Sequence, residues 1–181
     1  MAQMEADNIF KKAPRVDFVV GSSSYSFLPD LIARVEKGER KVIDVSQDTD
    51  RLFEINTQTR KNPYKAFVTI MEGCNRFCSF CVVPYTRGPE RSRPTQHILS
   101  EIQSLVNEGF QEVTLLGQTV NSWTDSQGQV NCFTDLLKRL AEVRGIRRIR
   151  FTSPHPNDFC PDICLLYTSD AADERSSVDL G

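Results

Sequence analysis

"KAFVTIM" (Lys65–Met71) runs directly into "EGCNRFCSFCVVPYTRG" (Glu72–Gly88). The first piece is β-branched and mostly apolar, the pattern of a buried strand. The second sets Cys74, Cys78 and Cys81 at C-x3-C-x2-C spacing in the loop that follows. Parallel α/β sheets present their ligand sites beyond the C-terminal ends of their strands. The stretch therefore predicts a fold and a chemistry together.

Downstream, Thr95–Asn107 places Ile98, Ile102, Leu105 and Val106 on one helical face, with Gly109 as a stop. A strand is expected over Glu112–Gly117, a helix over Phe133–Val143 and a strand over Arg147–Ser153. Strand, loop and helix repeated at this spacing predict βαβ units with right-handed crossovers and a parallel sheet. "GQTVNSW" (Gly117–Trp123) and "SPHPND" (Ser153–Asp158) also follow strand ends, so these loops and the cysteine loop are expected to converge on one face.

Upstream, a helix at Ala6–Lys12, a strand at Val16–Gly21, a helix at Leu28–Lys37 and a short strand in "KVIDVS" (Lys41–Ser46) read as the end of another α/β domain over residues 1–46. Residues 47–63 are polar, weakly periodic and closed by Pro63, the composition of a linker. The second domain covers residues 64–163. "CLLYTSDAADERSSVDLG" (Cys164–Gly181) carries four acids against one base and no continuing periodicity. It resembles the translation of a sequencing adapter and is read as a non-native tail.

Of the 181 residues, 39% are hydrophobic and 25% charged, the balance of a soluble globular protein. No apolar run approaches the roughly 20 residues that span a bilayer, so no membrane role is expected. The N-terminus lacks the apolar core of a secretory signal, which points to the cytoplasm and to reduced thiols for the six cysteines. A net charge of −2 gives no whole-chain case for nucleic acid, so any such contact must be local.

Thiolates suit zinc or iron–sulfur clusters. A structural zinc site closes with four ligands, commonly as two separated pairs, whereas here one compact triplet sits in a single loop. A 4Fe–4S cubane normally takes four cysteines; with three, one iron stays open to another ligand. Cys132, Cys160 and Cys164 lie far off in sequence. The loop is read as an iron–sulfur site, with zinc and plain structural or disulfide cysteines as the alternatives.

Beside the triplet, a core aromatic is the alternative reading of Phe80, and Gly117 reads equally as a plain strand terminator. "YTRGPERSRP" (Tyr85–Pro94) gathers Arg87, Arg91 and Arg93, with glycine and prolines arguing against a helix. Arginine forks suit phosphate or carboxylate oxygens, and Tyr85 can stack on a base; ion pairs with neighbouring acids are the alternative. His97 and His155 have no matching nucleophile and receive no catalytic role.

"GCNRFCSFC", with Phe80 immediately before Cys81, resembles the radical S-adenosylmethionine superfamily. "EGCNRFCSFCVVPYTRGPERSRP", "LLGQTVNSW" and "RIRFTSPHPNDF" together resemble its methylthiotransferase branch, most nearly the tRNA 2-methylthio-N6-dimethylallyladenosine synthases. The resemblance runs from Met1 to about Ile163.

It implies a partial radical-SAM (β/α) barrel, about three of six strand–helix units, preceded by the end of an α/β methylthiotransferase domain. It implies that Cys74, Cys78 and Cys81 hold a 4Fe–4S cluster whose open iron takes S-adenosylmethionine. Phe80 would lie on the adenine, and Gly117 and Gln118, with Asn121 close by, would meet the methionyl end. The reaction would add a methylthio group to carbon 2 of N6-dimethylallyladenosine beside the anticodon of tRNA. Its sulfur would come from a second 4Fe–4S cluster, whose cysteines lie upstream of this chain. A cytoplasmic monomer is expected, with an electron donor and a sulfur donor as further partners. Sister enzymes acting on threonylcarbamoyladenosine in tRNA or on a ribosomal-protein aspartate are the nearest rivals, and a non-enzymatic metal-binding module is the rival class. The family's β-rich RNA-binding domain and the rest of its barrel have no counterpart in these residues, so this piece alone is expected not to insert sulfur.

Overall fold

The computed structural model describes residues 2–22, 24–46, 64–125, 127, 130 and 132–170. The linker expected over residues 47–63, and residues 171–181 of the expected tail, lie outside the described residues. The chain divides into two compact units, Met1–Asn56 with Gly73–Pro89, and Thr57–Glu72 with Glu90–Gly181. The division separates the cysteine loop from the expected 64–163 domain and groups it with the N-terminal residues.

The first unit opens with helix α1 (Ala2–Lys12), longer than its sequence pattern announced, with Phe10 on its buried side. Strand β1 (Phe18–Val20) pairs in parallel with β2 (Val42–Asp44), Val19 opposite Ile43. Between them α2 (Leu28–Glu36) supplies the crossover that parallel strands require, with Pro29 in its first turn, where no backbone donor is lost. Leu31, Val19 and Val42 form the small core. At the end of β2, the Asp44 carboxylate accepts from Ser24 Oγ and Ser46 Oγ, both at 2.8 Å, and from the Ser46 N–H. Burial pushes its pKa up, but these hydrogen bonds and Arg34 outweigh it and the net shift is downward.

Within the cysteine loop of this unit, α3 (Val83–Arg87) forms a short helix that ends at Gly88. The expectation that glycine and proline exclude a helix therefore holds only from Gly88 onward. Pro84 occupies the first turn, the one place a helix tolerates it.

The second unit is built on a parallel sheet of order β3–β6–β7, where β3 is Lys65–Thr69, β6 is Glu112–Leu116 and β7 is Arg148–Phe151. The register sets Lys65, Glu112 and Arg148 abreast. The strand expected to run through Met71 breaks at Ile70; Met71–Glu72 becomes β4 and pairs antiparallel with β5 (Arg91–Ser92). Helix α4 (Thr95–Asn107) connects β3 to β6, and α5 (Phe133–Ala141) connects β6 to β7.

Ala66 and Val68 of β3, Val113 and Leu115 of β6, Ile98, Ile102 and Leu105 of α4, and Leu136 and Leu140 of α5 share one buried core. Burial of each large aliphatic side chain contributes about 1.5–3 kcal/mol, which fixes the helices on the sheet. The alternate positions of the strands point the other way. There Glu112 sits among Lys65, Arg148 and Arg150, and Phe67 is exposed.

Helix α6 (Pro161–Asp170) was not anticipated. It crosses the boundary drawn at residue 164: Ile163 is buried, and Leu166 packs partly against the same core. No closed barrel forms among the described residues; the sheet is open. No helix of the described residues is long and apolar enough to cross a membrane.

Candidate functional site

The cysteine loop is closed at its neck. Cys74 donates its N–H to the Gly88 carbonyl at 3.1 Å. Gly73 lies beside it at φ +73°, and a Cβ there would meet the Pro89 carbonyl oxygen at 2.0 Å. Only glycine fits so close an approach. Cys74 is buried and its Sγ accepts the Arg76 N–H at 3.4 Å; Cys78 is exposed and Cys81 half-buried, with a turn made by the Cys81 N–H and the Cys78 carbonyl. None of Cys74, Cys78, Cys81, Cys132 or Cys160 is in a disulfide.

Against a three-thiolate cluster the donor chemistry fits: three reduced thiols in one loop, one of them already taking a backbone N–H. No three His, Cys, Asp or Glu side chains among the described residues are grouped to hold a single metal ion, whereas in a cubane each thiolate takes a different iron.

The loop's aromatic residues face outward. Phe80 is 92% exposed and therefore not a core residue. Phe77 and Tyr85 are exposed and meet edge to face at 5.9 Å. Arg87 is exposed in the last turn of α3. Arg91 and Arg93, grouped with Tyr85 and Arg87 as phosphate candidates, are held inside instead. Arg91 pairs with Glu72 at 3.8 Å across the β4–β5 ladder, and Arg93 pairs with Glu101 while donating to the Thr69 carbonyl at 3.2 Å. Both sit where strand and helix bring acids to them, although Nε and Nη2 of Arg91 are buried without a hydrogen-bond partner.

In the second unit, the segment after β6 starts at Gly117, where a Cβ would meet Met71 Cγ at 2.4 Å. Gln118 follows, its Oε1 buried without a hydrogen-bond partner. A buried acceptor left open costs free energy unless a donor arrives. Asn121 is buried, and its amide is taken by the backbone of His155, Nδ2 to the carbonyl and Oδ1 to the N–H. The loops after β6 and β7 are thereby joined, as expected from their strand-end positions. His155 Nδ1 accepts the Asn157 N–H at 3.2 Å.

Glu90 is the residue that sequence reasoning passed over. It lies among Arg87, Arg91 and Arg93, where a single acid reads as a counter-charge, yet its carboxylate accepts from the Thr119 and Ser122 hydroxyls. The only cue was its position at the loop's return limb.

Outside this region the Cys160 thiol is held below the ordinary thiol range by the Thr134 hydroxyl and by backbone N–H groups at the start of α6.

The model of the radical SAM superfamily matches residues 68–167. This chain belongs to that superfamily. A protein of Solibacter usitatus called tRNA-2-methylthio-N(6)-dimethylallyladenosine synthase is 43% identical over 178 residues, which is 98% of this chain and 39% of that protein. Proteins of the same name from Bdellovibrio bacteriovorus and Clostridium botulinum are 44% and 42% identical over 88% and 87% of this chain, each across 35% of its own length. The chain thus spans between 35% and 39% of these relatives.

Proposed function

We propose that these residues form the cluster-binding and S-adenosylmethionine-binding part of a cytoplasmic tRNA methylthiotransferase that acts on carbon 2 of N6-dimethylallyladenosine. The observation that carries the reading is the necked loop with three thiols outside any disulfide, next in sequence to a β3 strand end. Identity of 43% to a synthase of that name supports the substrate.

Cys74, Cys78 and Cys81 would hold a 4Fe–4S cluster. Bound together, cluster and S-adenosylmethionine supply reductive radical chemistry. The chain's own residues bind and orient. Phe80 offers its exposed ring to the adenine, and the methionyl end lies along the Gly117–Gln118 backbone, where the open Gln118 Oε1 accepts from its ammonium. Asn121 acts one step removed, by fixing the His155 backbone. Tyr85 and Arg87 face outward with the chemistry to stack on a base and pair with a phosphate. The parallel sheet β3–β6–β7 would be half of a (β/α) barrel, residues 64–163, with residues 1–46 closing an N-terminal methylthiotransferase domain and a second cluster lying in the whole protein. The whole protein would work as a monomer on tRNA.

Anaerobic reconstitution tests this reading. Iron and sulfide should give a reducible cluster whose paramagnetic resonance changes on adding S-adenosylmethionine, and the whole protein should yield the 2-methylthio nucleoside by mass spectrometry. Zinc uptake with no iron overturns the reading.

A further inference from the structure

The segment from Gly117 to Asp125 is tied at several points to residues that flank the cysteine loop. Gly117 lies against Met71 of β4. The Thr124 N–H donates to Ser92 Oγ of β5 at 3.2 Å, and the Trp123 indole donates to the Arg93 carbonyl at 3.0 Å. Asp125 accepts from the Thr95 hydroxyl at 2.7 Å. In the middle, the Glu90 carboxylate accepts from Thr119 Oγ1 at 3.0 Å through one oxygen and from Ser122 Oγ at 2.8 Å through the other. The two hydroxyls also meet each other at 2.9 Å, and Thr119 is buried.

Four of these ties act at Gly117 or beyond Ser122. Glu90 alone of them grips the turn Thr119–Ser122, directly after Gln118. Charge-assisted bonds to both carboxylate oxygens are the stronger kind and fix direction as well as distance. We propose that Glu90 is a positioning residue: its carboxylate clasps Thr119 and Ser122 and so sets the conformation in which Gly117–Asn121 receives the methionyl end of S-adenosylmethionine. This rests on the reading that Gly117–Asn121 binds that ligand.

The test uses the full chain, with Glu90→Ala and Glu90→Gln. A glutamine keeps both contacts, because its carbonyl accepts one hydroxyl and its amide donates to the other, so it should rescue. In the cofactor-free protein, hydrogen exchange of residues 118–122 should rise about tenfold for E90A and stay near wild type for E90Q. After reconstitution, E90A should keep its iron content and bind S-adenosylmethionine about tenfold more weakly, with E90Q within about threefold. Ser122→Ala, a milder change, should weaken binding by less than E90A and add little to it in the double variant. Wild-type exchange in E90A, or raised exchange with unchanged affinity, overturns the proposal. A wild-type protein that takes up iron but binds no S-adenosylmethionine overturns the underlying reading as well, which separates the two failures.

Discussion

Asn121 and His155 hold each other by two hydrogen bonds of equal length, Nδ2 to the His155 carbonyl and the His155 N–H to Oδ1, both at 2.7 Å. A side-chain amide here does what a neighbouring strand would do, and so carries the parallel alignment of β6 and β7 past the point where the strands stop. Asn121→Ala should cost about 2–3 kcal/mol, since both backbone groups of His155 lose partners at a buried position. Asn121→Asp should cost nearly as much, because a carboxylate can accept the N–H but repels the carbonyl. Thermal unfolding of the two variants checks both.

The loop cysteines separate from the others by their effect on iron. Serine at Cys74, Cys78 or Cys81 should abolish cluster absorbance after reconstitution, whereas serine at Cys132 or Cys160 should leave it intact. Iron and sulfide analysis of the five variants reads this directly.

Glycine 73 cannot gain a methyl group. Its Cβ would meet a backbone oxygen at 2.0 Å at φ +73°, so Gly73→Ala must open the neck of the loop. Gly109 has a φ of +94° but open space around it, and Gly109→Ala should cost only about 1 kcal/mol of strain. Iron content after reconstitution should fall in the first variant and hold in the second.

Glu112 makes the sheet unit sensitive to acid. Burial raises its pKa, but Lys65, Arg148 and Arg150 outweigh that, and the folded value lies below the ordinary one. A carboxylate depressed in this way adds stability above its unfolded pKa of about 4.5 and loses it as pH falls through the folded value. Glu112→Gln should flatten the acid limb of stability against pH, and Glu112→Ala should cost about 3 kcal/mol at neutral pH by leaving two arginines facing each other. Denaturant titrations at neutral and acid pH give both numbers.

The main strands of the sheet and helices α4 and α5 were legible because their apolar residues repeat over enough positions to show a period. The pair β4–β5 was not: each strand has two residues, too few to alternate, and its partner lies beyond the whole cysteine loop. Helix α3 was hidden by a proline that is harmless in a first turn. The three thiols announced themselves by spacing alone. The contacts of Arg91, Arg93 and Asn121 depend on which acid or backbone group the fold brings near, and those of Glu90 on hydroxyls about thirty positions away, where local pattern carries no information.

The ladder β4–β5 pins the two ends of the cysteine loop side by side, Glu72 opposite Arg91. Whatever lies between those ends is a cassette with fixed terminals. Because closure entropy grows by only about 0.6 kcal/mol for each doubling of loop length, such a cassette can be lengthened, shortened or exchanged with little effect on the sheet. Sheet stability should therefore respond far less to changes within the loop than to changes in the two short strands that close it.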